Sequence, residues 1–194
     1  MASTTTSASV RLLVSACAAT VIVAFLLVAG RADGAGRAWE AYLAPAAVCA
    51  GGKNGGSSLT SQARTVTCLV NWARAREGVR RLVSRRSLQR AAAMKGRVVA
   101  ECGQLSHTPC GSEASAEVRA AGYRFAYFGE NLFAGPWGKV GPRAVVTAWL
   151  RSPSHRANLL DPDFRDLGVA SAPAPGLLGS GRSVLWTAAF ATPR

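Results

Sequence analysis

"WLRSPSHRANLLDPDFRDLGVA" spans Trp149–Ala170 and holds one of only two histidines in the chain. Trp149 and Leu150 close an apolar helical run, "PRAVVTAWLRS", that opens at Gly141-Pro142 with proline in its first turn. Ser152-Pro153 stops that run. His155 follows the stop, and "FRDLGVASA" beyond it reads as a strand. His155 is therefore expected in irregular backbone between a helix and a strand, where a scaffold holds functional side chains.

Working outward, "RSVLWTAAF" is a second closing strand, joined to the first by the loop "PAPGLLGSG". Upstream, "YRFAYFGENLFAG" is more strand-like than helical. Three helices are expected before it. The first starts near Thr60-Ser61 as its cap and carries Val66, Leu69, Val70 and Ala73 at helical spacing, with Gly78 as its stop. The second follows Ser84, with Leu88, Ala91, Ala92, Val98, Val99 and Cys102 on one face. The third, "SEASAEVRAAG", has Ser112 as its expected cap and Gly122 as its end. Three helices, a strand, a helix and two strands predict an α+β fold with helices packed on a small antiparallel sheet.

The chain has 194 residues and a formal charge of +13, with lysine only at Lys53, Lys95 and Lys139. The arginines are scattered, Ala and Gly are abundant as well, and no nucleic-acid motif accompanies them, so no nucleic-acid partner is expected. Attraction to an acidic envelope surface needs no further assumption. Leu12 to Ala29 is nearly all apolar and reads as a secretory segment or a signal anchor within residues 1–32. Residues 33–59, rich in Gly, Ala and Ser, read as a linker, and 60–194 as one domain. The domain is expected outside the cytoplasm, secreted or anchored on the outer face of the membrane. Its only membrane contact is expected through the N-terminal segment, and a monomer is expected.

Cys17 lies in the targeting segment, leaving Cys49, Cys68, Cys102 and Cys110. An even set in an exported chain points to two disulfides, and four cysteines allow three pairings. Cys102 and Cys110 bracket the short loop "CGQLSHTPC" and are expected to pair, leaving Cys49 for Cys68. His107 sits inside that loop, and Glu130 lies in "GEN" between the two histidines. A carboxylate and two imidazoles, where they converge, can hold a divalent metal or share protons. Spacing alone does not establish convergence.

Six segments in order resemble the CAP superfamily, also called SCP/PR-1-like or cysteine-rich secretory protein domains, in its bacterial form. They are "VNWARAREG" with Asn71 and Arg74, "LQRAAAMKGRVV", "LSHTPCG", "AGYRFAYFGENLFAG", the Ala144–Ala170 stretch, and "LWTAAF". The resemblance implies a three-layer α-β-α sandwich and a cleft lined by His107, Glu130 and His155. It also implies lipid, cell-wall or protein ligands, and a divalent cation such as Zn²⁺ rather than a required cofactor. Two departures stand out. The resemblance implies a second glutamate on the fourth helix in the animal and plant members, where Leu150, Arg151 and Ser152 stand here. The last strand has Thr187-Ala188 where many relatives have Thr-Gln. Arg156 is expected to point outward or to pair with Asp161 or Asp166, and Asn158 to satisfy its own turn. Trp72, Trp149 and Trp186 are read as packing, and Leu159 and Leu160 as core.

Three functions follow from these residues. One is a binding or interaction module of the cell envelope. Another is a metal-dependent hydrolase with Glu130 as general base, in which Ser106, Ser152 and Ser154 neighbour the histidines. The last is a purely structural secreted domain.

Overall fold

The computed structural model describes residues 39–51 and 58–194. The targeting segment 1–32, Cys17 within it, and linker residues 33–38 and 52–57 lie outside the described residues. No helix among the described residues is long and apolar enough to cross a membrane.

A 3-10 turn at Trp39–Tyr42 precedes α1 (Leu59–Arg76), β1 (Val83–Ser84) and α2 (Arg86–Cys102). A second 3-10 turn at Pro109–Gly111 leads to α3 (Ala116–Ala120) and β2 (Phe125–Pro136). The order then runs α4 (Pro142–Arg151), α5 (Pro153–Leu160), β3 (Asp166–Pro173) and β4 (Ser183–Pro193). Strand order in the sheet is β1-β3-β4-β2. β4 pairs antiparallel with both neighbours, whereas β1 runs parallel to β3 over two residues. The sheet is thus mixed rather than purely antiparallel. A two-residue strand carries too little alternation to be read from sequence.

β4 decides the layering. Its residues are buried from Ser183 to Ala191 and point alternately to the two faces. Val184, Trp186, Ala188 and Phe190 join the core formed with Leu69 and Val70 of α1, Trp149 and Leu150 of α4, and Leu159 of α5. Ala189 and Ala191 pack instead with Leu88 and Ala91 of α2 and Val118 of α3. The result is three layers, with α1, α4 and α5 on one face and α2 and α3 on the other. A strand buried on both faces reads as one apolar run, and "SVLWTAAFAT" does.

Several local expectations change. Ser58, not Thr60-Ser61, caps α1: its Oγ accepts from the Ser61 amide at 3.2 Å. Ser112 ends the second 3-10 turn, and α3 starts only at Ala116. His155 lies inside α5 rather than in irregular backbone. Proline at the first helical position removes no hydrogen bond, so Pro153 starts a helix as readily as it ends one. Residues 39–51, read as linker, pack on the domain, with Ala44 and Cys49 buried in the larger core. Trp149 and Trp186 are fully buried, and the Trp149 indole N–H donates to the Leu132 carbonyl at 3.2 Å.

Candidate functional site

One edge of the sheet is β2, and two adjacent residues on it sort the site between layers. Glu130 pairs with Ala189 and Asn131 with Ala188, so Glu130 faces α2 and α3 whereas Asn131 faces the opposite layer. On the first side, the His107 Nδ1 lies 2.8 Å from Glu130 Oε1. The imidazole is half exposed, while the Glu130 side chain is 4% exposed. On the second side, the Asn131 amide donates to the His155 carbonyl at 2.9 Å. Asn158 Nδ2 donates to the Glu130 carbonyl at 3.1 Å and to Asn131 Oδ1 at 2.9 Å. Asn158 therefore ties α5 to β2 rather than closing its own turn.

Beneath His107 sits a buried ionic layer that the sequence reading missed. The Lys95 ammonium of α2 is 2% exposed, donates to the His107 carbonyl at 2.9 Å and lies 2.9 Å from Glu117 Oε2. That last approach is off hydrogen-bond direction, so Glu117 Oε2 has a charge contact without a directed donor. Glu117 is the second carboxylate near the site. It comes from α3, not from the Leu150–Ser152 end of α4, and it is near enough to Glu130 to raise its pKa. A buried lysine two turns into an amphipathic helix reads as surface in sequence; only the pairing shows its role.

A profile of the cysteine-rich secretory protein (CAP) family matches residues 68–190. The chain belongs to the cysteine-rich secretory protein family. Among curated proteins it is similar to the uncharacterized protein YkwD of Bacillus subtilis strain 168, with 28% identity over 135 residues. The match covers 69% of this chain but 48% of the relative, so the chain spans about half that protein's length. Among solved structures, an outer surface protein from Borrelia burgdorferi aligns with a TM-score of 0.60 at 18% identity. It is covered completely, against 73% of this chain. An extracellular protein containing a SCP domain from Bacillus anthracis aligns at 0.57 with 20% identity, over 71% of this chain and 44% of that one. These two likenesses concern the fold.

In this CAP domain both expected disulfides are present: Cys49–Cys68, and Cys102–Cys110 around the His107 loop. The three expected cleft residues do not form one ligand set. Among the described residues, no group of three His, Cys, Asp or Glu side chains is placed to hold a metal ion. His155 is carried by α5, on the face of the sheet opposite α2 and α3, whereas Glu130 and His107 meet on the α2 and α3 side. His155 is still within electrostatic reach of His107. The serines turn to other hydroxyls, Ser106 toward Thr108 and Ser152 toward Ser154, each at 3.4 Å. Arg156 pairs with neither Asp161 nor Asp166. It lies 4.2 Å over the Trp39 ring and donates to the Leu150 carbonyl at 2.9 Å. Asp166 is taken by Arg85 at 3.0 Å and by the Tyr123 hydroxyl at 2.6 Å.

The two imidazoles are pushed in opposite directions. The hydrogen bond to Glu130 raises His107 above 6.5, and burial followed by the charge of His107 lowers His155 below 6.5. Burial holds the Glu130 carboxyl above the usual carboxylate range, against the pull of His107. Folding is therefore favoured by the His107 charge fully below pH 6.5, and this contribution is lost as pH rises through its higher folded value. His155 has the reverse sign: the fold loses stability as pH falls from 6.5 toward its lowered value. With only two histidines, both ring titrations are resolvable by NMR. One midpoint should lie above 6.5 and one below, and Glu130→Gln should bring the upper one down. Two coincident midpoints in the native protein would contradict the Glu130 contact.

Proposed function

We propose that this CAP-family protein is an extracytoplasmic binding module of the cell envelope, with the half-exposed His107 ring as the polar centre of its ligand site. The observation that carries this reading is what the imidazoles touch. His107 Nδ1 is committed to a buried carboxylate, and among the described residues neither ring is hydrogen-bonded to a hydroxyl or thiol. Nucleophilic catalysis needs such a partner activated by a base. The four cysteines of the domain are in disulfides, which also suits an oxidising compartment outside the cytoplasm. The ligand classes that fit are envelope lipid, cell-wall polymer or an envelope protein.

The test is co-sedimentation of the purified protein with insoluble envelope material at pH 7. Most of the protein should pellet, and a His107→Ala, His155→Ala double variant with a native melting curve should stay in the supernatant. Equal pelleting of both proteins would remove the histidines from the binding surface. Ester or peptide hydrolysis abolished by Glu130→Gln would replace the module with a hydrolase.

A divalent cation at this site is a second reading, favoured by the carboxylate behind His107. A carboxylate that accepts the far N–H of an imidazole is the usual support for a metal-binding histidine. Zn²⁺ would take the free ring nitrogens of His107 and His155 and supply an open coordination position for a ligand oxygen. Two imidazoles with Glu130 withheld predict modest affinity, which should fall as pH drops through the raised His107 value, already above 6.5, because only neutral rings ligate. Calorimetric titration with Zn²⁺ should give heat that His155→Ala removes. Equal affinity in the two proteins, or no heat in the native one, would remove the cation from the site.

A further inference from the structure

β1 covers only the first part of the β3 edge. Val83 and Ser84 pair with Asp166 and Leu167, and α2 begins at Arg86. The Val83 amide donates to the Arg165 carbonyl and the Arg85 amide to the Leu167 carbonyl, each at 2.9 Å. Odd-numbered residues of β3 therefore turn their main-chain groups toward the β1 side. By the same alternation, Val169 and Ser171 present theirs to the stretch of edge that no strand pairs. That stretch is the floor of a groove of about 540 Å³ between α1 and α2.

The groove walls are basic. Arg64 stands on the α1 side, and Arg86 and Arg90 stand one turn apart on the α2 side. All three are exposed, none is in an ion pair among the described residues, and no carboxylate lines the groove. Between the arginines and the floor the walls are small and apolar, at Ala63 and Ala93. An open strand edge is a template for another strand. Here two helices flank it, so it admits one extended chain and not a second flat sheet.

We propose that this slot binds an extended acidic peptide, which adds to the sheet in line with β1. Its main chain pairs with Val169 and Ser171, and its carboxylates meet Arg64 on one wall and Arg86 and Arg90 on the other. Successive residues of a strand point to opposite sides, so adjacent acidic residues are needed to satisfy both walls. Strand addition of this kind draws affinity from main-chain hydrogen bonds and specificity from the side-chain walls. The slot lies on the β1 side of the sheet, away from the His107–Glu130 pair on β2, so its failure would leave the histidine reading untouched.

The probe is an acetylated and amidated heptapeptide, Val-Glu-Glu-Thr-Glu-Glu-Val, fluorescently labelled and titrated with the protein by anisotropy. Binding should be saturable. Methylating the main-chain nitrogens on the edge of the peptide that faces β3 should weaken it at least about tenfold, since the donors are lost while the charge is kept. The double variant Arg64→Glu, Arg86→Glu, checked for a native melting curve, should weaken it to a similar degree. Equal binding of the methylated peptide would mean charge adhesion only and would overturn strand addition. Unchanged binding by the double variant would overturn the arginine walls, and no binding would overturn the proposal. Displacement of the peptide by concentration-dependent dimerisation of the protein would assign the edge to a second copy instead.

Discussion

Gly168→Ala should lower the stability of the domain by about 3 kcal/mol or more, near the upper end of overpacking costs. A Cβ built on Gly168 would lie 2.0 Å from the Leu88 carbonyl carbon, 2.3 Å from its oxygen and 2.4 Å from the Gln89 nitrogen. All three atoms are backbone, so no side chain can rotate away. The only relief is for α2 to lift off β3. The internal control is Gly96, also on α2, where an added Cβ would meet Ala172 at an ordinary 3.5 Å. There Gly→Ala should be neutral or stabilise by up to about 1 kcal/mol, through helix propensity. Thermal melts separate the two cases. The first should fall by roughly 6–12 °C for a domain of this size, and the second should hold or rise. A Gly168→Ala variant melting with the native protein would refute the close crossing. Because α2 also carries Lys95, the same substitution should disturb the His107 NMR titration.

The second large effect is expected at Arg74. Its guanidinium is fully buried on α1, and its nitrogens donate to the carbonyls of Arg80, Leu159 and Asp161 at 2.8, 2.8 and 2.9 Å. Burial lowers its pKa to about 10, which leaves it cationic at neutral pH. Arg74→Met keeps much of the volume but abandons these acceptors, and each buried unsatisfied group costs about 1–3 kcal/mol. A total loss of about 3–5 kcal/mol is expected, as for removal of one partner from a buried charged network. Arg74→Lys should recover only part of it, since one ammonium cannot reproduce the planar fork. Urea unfolding of the three proteins is the measurement. A loss under about 1 kcal/mol for Arg74→Met would show that water replaces the guanidinium.

Arg74 also marks the limit of what sequence reveals. The motif "VNWARAREG" flags the residue, and Arg80 is six positions on, but the Leu159 and Asp161 carbonyls lie 85 and 87 positions away, and no local pattern encodes them. The helices with clear periodicity, the three long strands and both disulfides were legible because each depends on spacing within one segment. β1 and α5 were not. One is too short for alternation, and the other begins at a proline that reads equally well as a stop. At the site, the histidines and Glu130 stood out by scarcity and motif. Lys95 and Glu117 did not, because a lysine and a glutamate on separate helices look like solvated charges until packing buries them together. The opposite facing of Glu130 and Asn131 was implicit in strand alternation. Its consequence for His155 required the knowledge that β2 is the edge strand.

The place of β4 sets the timetable of folding. It is the last strand of the sheet in chain order and one of the two inner strands in space, the sole partner of β2 and the main partner of β3. Until it is supplied, only the two-residue β1–β3 pairing can exist, and neither helical layer has a sheet to cover. β3 and β4 form a local hairpin, but the β2–β4 register joins residues as far apart as Phe125 and Pro193, and pairings that distant form slowly. The cross-links obey a different clock, since their cysteines are 19 and 8 residues apart. Both loops can therefore be oxidised on a chain that is still open, before β2 and β4 have paired.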